Sequence, residues 1–165
     1  MILRQEESRF SDPQRSLVFQ ALGEAEKRTS GYYCIPPFRW EKLHYDLLTQ
    51  TDQDCEPLPE SILARVRHLE KVNTPRPFDF YRIELNDQSI LAAAEREQFT
   101  KDLYPFFVYI LTHEMVHLVR LSSILDRRAN NFALLDESEE QRVQRISRRI
   151  LAGTCFQPVL DRFCD

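Results

Sequence analysis

Residues 104–120, reading YPFFVYILTHEMVHLVR, are apolar almost throughout, and His-Glu-Met-Val-His at 113–117 is set inside them. A stretch of this kind is expected to fold as a buried helix, about 103–125. Pro105 suits its first turn and Asp102 is a candidate N-cap. On a helix, residues four apart share a face, so the imidazoles of His113 and His117 can converge on one ion. Glu114 is rotated to the side, where it can hold a metal-bound water without ligating the metal. Two ligands and a general base in this order are the H-E-x-x-H pattern of zinc hydrolases. Met115 and Val116, the two intervening residues, are uncharged, as a buried metal-bearing helix requires.

Catalytic zinc usually keeps three protein ligands and leaves one position to water. The extended pattern with Gly at 120 and His at 123 is excluded, because Arg120 and Ser123 stand there. No histidine follows His117, so the third ligand is expected to be a carboxylate. Asp136, Glu137, Glu139 and Glu140 form the dense cluster downstream. They open a second expected helix, 136–151, whose apolar stripe is Val143, Ile146, Ile150 and Leu151. Three and six residues after Glu139 come Arg142 and Arg145, which do not suit a core. The same offsets from Glu140 give Val143 and Ile146, with small Ser147 and then Ile150 beyond. Glu140 is therefore the preferred third ligand and Glu139 the second choice. The competing role for these acids is to complement the helix N-terminus.

His113-Glu114-x-x-His117 with Glu140 downstream resembles the gluzincin arrangement of zinc peptidases. The run Glu140-x-x-Val143-x-x-Ile146-Ser147-x-x-Ile150-Leu151 is similar to the second helix of the ImmA/IrrE-type intracellular peptidases. In that family a ligand Glu is followed by small, aromatic, small and paired aliphatic residues. The resemblance covers roughly residues 78–152 and is concentrated in the two helices. Val143 and Ile146 depart from the usual Ala and Phe, and Met115-Val116 stands where Gly is frequent before the second His. No helix-turn-helix module is recognisable. The resemblance implies a minimal zincin-like domain, with a strand upstream of the motif helix forming the sheet edge that lines the cleft.

The chain of 165 residues is expected to form one domain, 1–165, with its metal-site core at about 78–152 and a helical N-terminal part at about 13–72. A net charge of −4 gives no bulk electrostatic case for nucleic acid. The first residues lack the apolar core of a signal peptide, and no apolar stretch is long enough to span a membrane. Cys34, Cys55, Cys155 and Cys164 contain no C-x-x-C pair and suggest no disulfide framework. The cytoplasm is the expected compartment.

Further helices are expected at about 13–29, opened by Ser11 or Asp12 before Pro13 and closed near Gly31, and at about 40–48, 60–72 and 88–99. Residues 78–85 alternate apolar and polar and form the best strand. A peptide could add to the edge of such a strand; a strand that simply covers a helix is the other reading. His44 and His68 have no spacing partner and are assigned to the surface. Arg142, Arg145, Arg148 and Arg149 form a basic face of the kind usually solvated.

The combined expectation is a helix-dominated α+β fold with a small sheet beside the motif helix. Zn²⁺ would be held by His113, His117 and Glu140, with Glu114 as general base for hydrolysis of a peptide or protein substrate. Tyr104, Tyr109 and Arg120 are all open as oxyanion stabilisers. The alternative is a non-catalytic binding or regulatory module with a structural or vestigial zinc site.

Overall fold

A computed structural model describes residues 9–52, 57–69, 75, 78–122, 124–125 and 137–163. The described chain is α+β, with six helices and one three-stranded mixed sheet. In order these are α1 (Asp12–Tyr32), α2 (Pro37–Trp40), β1 (His44–Leu48), β2 (Ala64–Leu69), β3 (Phe80–Leu85), α3 (Asp87–Arg96), α4 (Leu103–Leu121), α5 (Glu139–Leu151) and α6 (Gln157–Phe163). None of the described helices is long and apolar enough to cross a membrane.

The motif helix α4 is the centre of the molecule, packed by α1, α5, α6 and β2. Phe106, Phe107, Leu111, Met115 and Leu118 are fully buried along it. Asp102 stands at its N-cap position, but its side chain makes no capping bond. Helix α1 faces α4 with Val18, Ala21, Ala25 and Thr29, a stripe at helical spacing made mostly of small residues, which lets the two backbones approach closely. Ser11 and Gln14 close a capping box at its start. It ends near Gly31, as expected. The helix runs on to Tyr32, and Cys34 makes the turn at φ 52°, a left-handed conformation.

Strand β3 is the middle of the sheet, parallel to β1 and antiparallel to β2. Its alternation is the expected one: Tyr81, Ile83 and Leu85 enter the core, while Arg82 and Glu84 take the other face. Its place is not. The upstream strand of the sequence reading is central rather than an edge, and the edge next to α4 is β2. Two of the expected N-terminal helices are replaced by strands. Residues 44–48 pair with β3, setting Leu47 against Ile83 and Asp46 against Arg82, whose guanidinium donates to both Asp46 oxygens at 2.9 and 2.8 Å. Residues 64–69 pair on the other side, with Arg65 and Arg67 both donating to Glu84, at 2.5 and 3.1 Å. Pairing with a strong central strand overrides the weak helical pattern of both segments. The expected break at 73–77 lies outside the described residues except for Pro75.

The sheet is locked to the helices by a polar junction after β3. Asn86 caps α3 by accepting from the Ser89 amide, and its own amide group donates to the Pro59 and Ile62 carbonyls. Asp87, fully buried, accepts from the Phe10 and Gln50 amides, both at 3.0 Å. Asp87→Ala would strand both donors and is expected to lower stability by about 2–5 kcal/mol, measured by urea unfolding. A loss below the range of an ordinary surface substitution would show that these amides find water instead.

Candidate metal centre

His113 and His117 lie one turn apart on α4, with ring centroids 5.0 Å apart. Both Nε2 atoms face the same carboxylate. Glu140 Oε1 is 2.9 Å from His113 and Glu140 Oε2 is 2.9 Å from His117. The candidate donor atoms of the three residues all lie within 4.8 Å of one another. Donors about 2.0–2.1 Å from a tetrahedral zinc stand roughly 3.3 Å apart, and the two contacts of Glu140, at 2.9 Å, fall slightly inside that figure. Two imidazoles and one carboxylate are also a donor set that suits such an ion. Among the described residues these three form a candidate metal-binding triad, with Glu140 brought from another helix, 23 residues beyond His117 in sequence.

The approach of Glu140 is prepared by packing. Val116, on α4 between the two histidines, forms a small apolar cluster with Val143 and Ile146 of α5. Ser147, 1% exposed, donates its hydroxyl to the Val143 carbonyl, and Ile150 packs against the same cluster. The stripe that follows Glu140 is therefore the face that α5 presents to α4. Ser138 and Gln141 close a capping box at the start of α5, setting Glu139 and Glu140 in its first turn. The expected start at Asp136 lies outside the described residues.

Glu139, the second-choice ligand, points elsewhere. Its two oxygens accept from Arg120 Nε and Nη2 at 2.6 and 3.1 Å, and Arg120 holds its carboxyl below the usual carboxylate range. Glu137 is likewise engaged by Arg145, at 2.8 and 3.0 Å. The His44 ring lies tilted against Phe78, and His68 meets Asp79 at 3.0 Å. Both are on strands rather than the expected helices, and neither belongs to the triad.

Glu114 is only 6% exposed, although it lines the same cavity as the two histidines. Burial, and secondarily the charge of Glu140, push its carboxyl from 4.5 up to about 8. Burial also lowers the pKa of His113, against the opposing pull of Glu140. The cavity has a volume of about 490 Å³. Its walls are Tyr109 and Ile110 on α4 and the segment from Ser61 into β2, with Glu140 and Leu121 at the rim. Of the three residues left open as oxyanion stabilisers, Tyr109 lines this cavity. Tyr104 packs against Phe156 and Arg120 is engaged with Glu139. The β2 wall was missed by the sequence reading. The signal for it was the alternation Ala64-Arg65-Val66-Arg67, which has a strand period.

Fold and site together define an α+β protein with a candidate His-His-Glu metal centre lining a partly apolar cavity. Comparison with protein-family models, with curated proteins and with solved structures finds no match.

Removing both imidazoles, by His113→Ala with His117→Ala, is expected to abolish metal binding. Metal analysis of protein purified without a polyhistidine tag is the measurement, and a stoichiometric ion in the double variant would refute the assignment. A second expectation concerns Glu114 in chelator-treated protein. Its raised pKa means that the folded state holds the proton more tightly than the unfolded chain does. Its contribution to stability is therefore complete below pH 4.5, declines as pH rises, and is lost above about 8. His113 acts in the opposite direction on the acid side, so the comparison must be with Glu114→Gln, which cannot titrate at that position. Relative to that variant, the parent protein should lose stability steadily between pH 5 and 9 (approximate bounds set by this shift). Parallel stability–pH curves would show that Glu114 is not held neutral.

Proposed function

We propose that this protein is a zinc-dependent hydrolase, and most specifically a peptidase. The observation that carries the reading is the position of Glu114, buried in the cavity wall between two histidines that share Glu140. A centre built only to hold an ion has no use for a carboxylate there. The triad supplies three protein donors among the described residues, which leaves a fourth position for water.

Zinc bound by His113, His117 and Glu140 would lower the pKa of a water and polarise a carbonyl. Glu114 performs the proton transfers. A carboxylate in a site that resists its charge is more basic than one in water, so its oxygen readily accepts a proton from the water. A neighbouring dication favours the ionised form, which keeps Glu114 available as base at neutral pH. The same oxygen then returns the proton to the leaving amine. Burial of Glu114 excludes bulk water that would compete for this proton.

The preference for a peptide comes from the opposite wall. Among the described residues β2 is an edge of the sheet, and the cavity runs along it from Ser61 to Val66. Extended backbone can pair with such an edge, which would lay a substrate carbonyl along the histidine face of α4. Ile62, Val66, Tyr109, Ile110 and Leu121 offer apolar surface to its side chains.

Zn²⁺-loaded protein incubated with a mixed peptide library, read by mass spectrometry, tests the reading. Cleavage should disappear with a chelator and return with Zn²⁺. Glu114→Gln should keep its zinc and lose about 10²–10⁴ in rate, the range for general acid–base assistance. Cleavage by that variant at the parental rate would rule out the mechanism.

A further inference from the structure

Glu140 is an exposed side chain in the first turn of α5, 64% accessible, yet it must meet two imidazoles carried by another helix. Helix ends fray, and a ligand on a frayed turn pays an ordering cost whenever it binds. The residue directly before it is not free to move. Arg120 grips Glu139 with a two-pronged hydrogen bond, 2.6 Å from Nε to Oε1 and 3.1 Å from Nη2 to Oε2. Arg142 Nη1 stands 3.8 Å from the same Glu139 oxygen. The Arg120 side chain is only 9% exposed, so its end of the pair is shielded from solvent. Arg120 lies one turn beyond His117 on α4. The arginine and the two histidines are therefore on one rigid element, and the two adjacent glutamates are on the other.

The geometry points to Arg120 and Glu139 as positioning residues for the metal ligand Glu140. Neighbours on a helix project about 100° apart. Anchoring Glu139 on Arg120 sets the rotation of the first turn of α5 so that Glu140 faces His113 and His117. It also decides between two chemically identical carboxylates: Glu139 is withdrawn into an ion pair and Glu140 is left to the metal. The Val116–Val143–Ile146 contact brings the helices together, and the ion pair fixes which acid arrives.

The inference rests on the metal centre proposed above and is tested by binding rather than by turnover. Zn²⁺ affinity is measured by chelator competition on Arg120→Gln, Glu139→Gln, their combination and Arg120→Lys. The visible absorption of the Co²⁺-loaded proteins reports coordination, and circular dichroism reports the fold. Each single Gln variant should weaken Zn²⁺ binding roughly 10- to 100-fold, as loss of a partner behind a ligand does, and should alter the Co²⁺ spectrum. The combination should lose no more than the worse single variant, because both remove one interaction. Arg120→Lys keeps the charge but not the fork and should recover part of the affinity. If Arg120→Gln does not fold, Glu139→Gln decides, since Glu139 is exposed. Unchanged Zn²⁺ affinity and an unchanged Co²⁺ spectrum in Glu139→Gln overturn the positioning role, and so do additive losses in the combination. Failure of the parent protein itself to bind Zn²⁺ overturns the centre, a result distinct from either.

Discussion

The contact of Val116 with Val143 and Ile146 is the interaction on which the rest of the site depends. Val116 stands between the two histidines, so whatever packs on it is placed over their imidazoles. Helix α5 packs there through its apolar stripe, and Ser147 is small enough to let the backbones close. Burial is non-directional, however, and a greasy stripe alone would tolerate some rotation. Polar groups with fixed geometry supply the direction: the capping box of Ser138 and Gln141, the grip of Arg145 on Glu137, and that of Arg120 on Glu139. Apolar contact and ionic contact thus divide the work between proximity and orientation.

Helix α4 itself is a compromise. Ten of its 19 residues are apolar and buried, and a buried carboxyl at 114 sits uneasily among them. A carboxyl there is tolerated because it can remain protonated in the ion-free protein, as its raised pKa indicates. In the hydrolase we propose, the same displacement from the ordinary value would make the group a useful proton acceptor, and position 114 would trade folding stability for reactivity, a pattern common where buried groups serve chemistry.

How much of this was legible in the sequence follows from how local each signal is. The apolar run around residues 113–117 and the stripe Val143, Ile146, Ser147 and Ile150 are periodic within one helix. They led to α4, to α5 and to the three side chains that the fold brings together. The start of α1 was readable from Ser11 or Asp12 before Pro13, and β3 from its alternation. Residues 44–48 and 64–69 are strands inside the segments expected as helices at about 40–48 and 60–72, because short mixed segments carry both periods weakly. Their strand state is decided by β3, a partner distant in sequence. The central place of β3 was illegible for the same reason, since an edge is defined only once both neighbours are known. Nor could Arg120 and Glu139 be matched in advance. Each looks like ordinary helix-end charge until two helices are docked.

Strand β2 carries one more consequence. An edge strand with unpaired backbone groups invites any extended chain, including the same edge of another copy of the protein. On β2 two arginines, Arg65 and Arg67, alternate with the inward residues, and both donate to the buried Glu84. Charged side chains along an edge are one of the ways in which sheets are kept from pairing edge to edge. Arg65 and Arg67 place that device on the strand that faces the histidines, so the wall of the cavity and the guard of the sheet are the same six-residue strand.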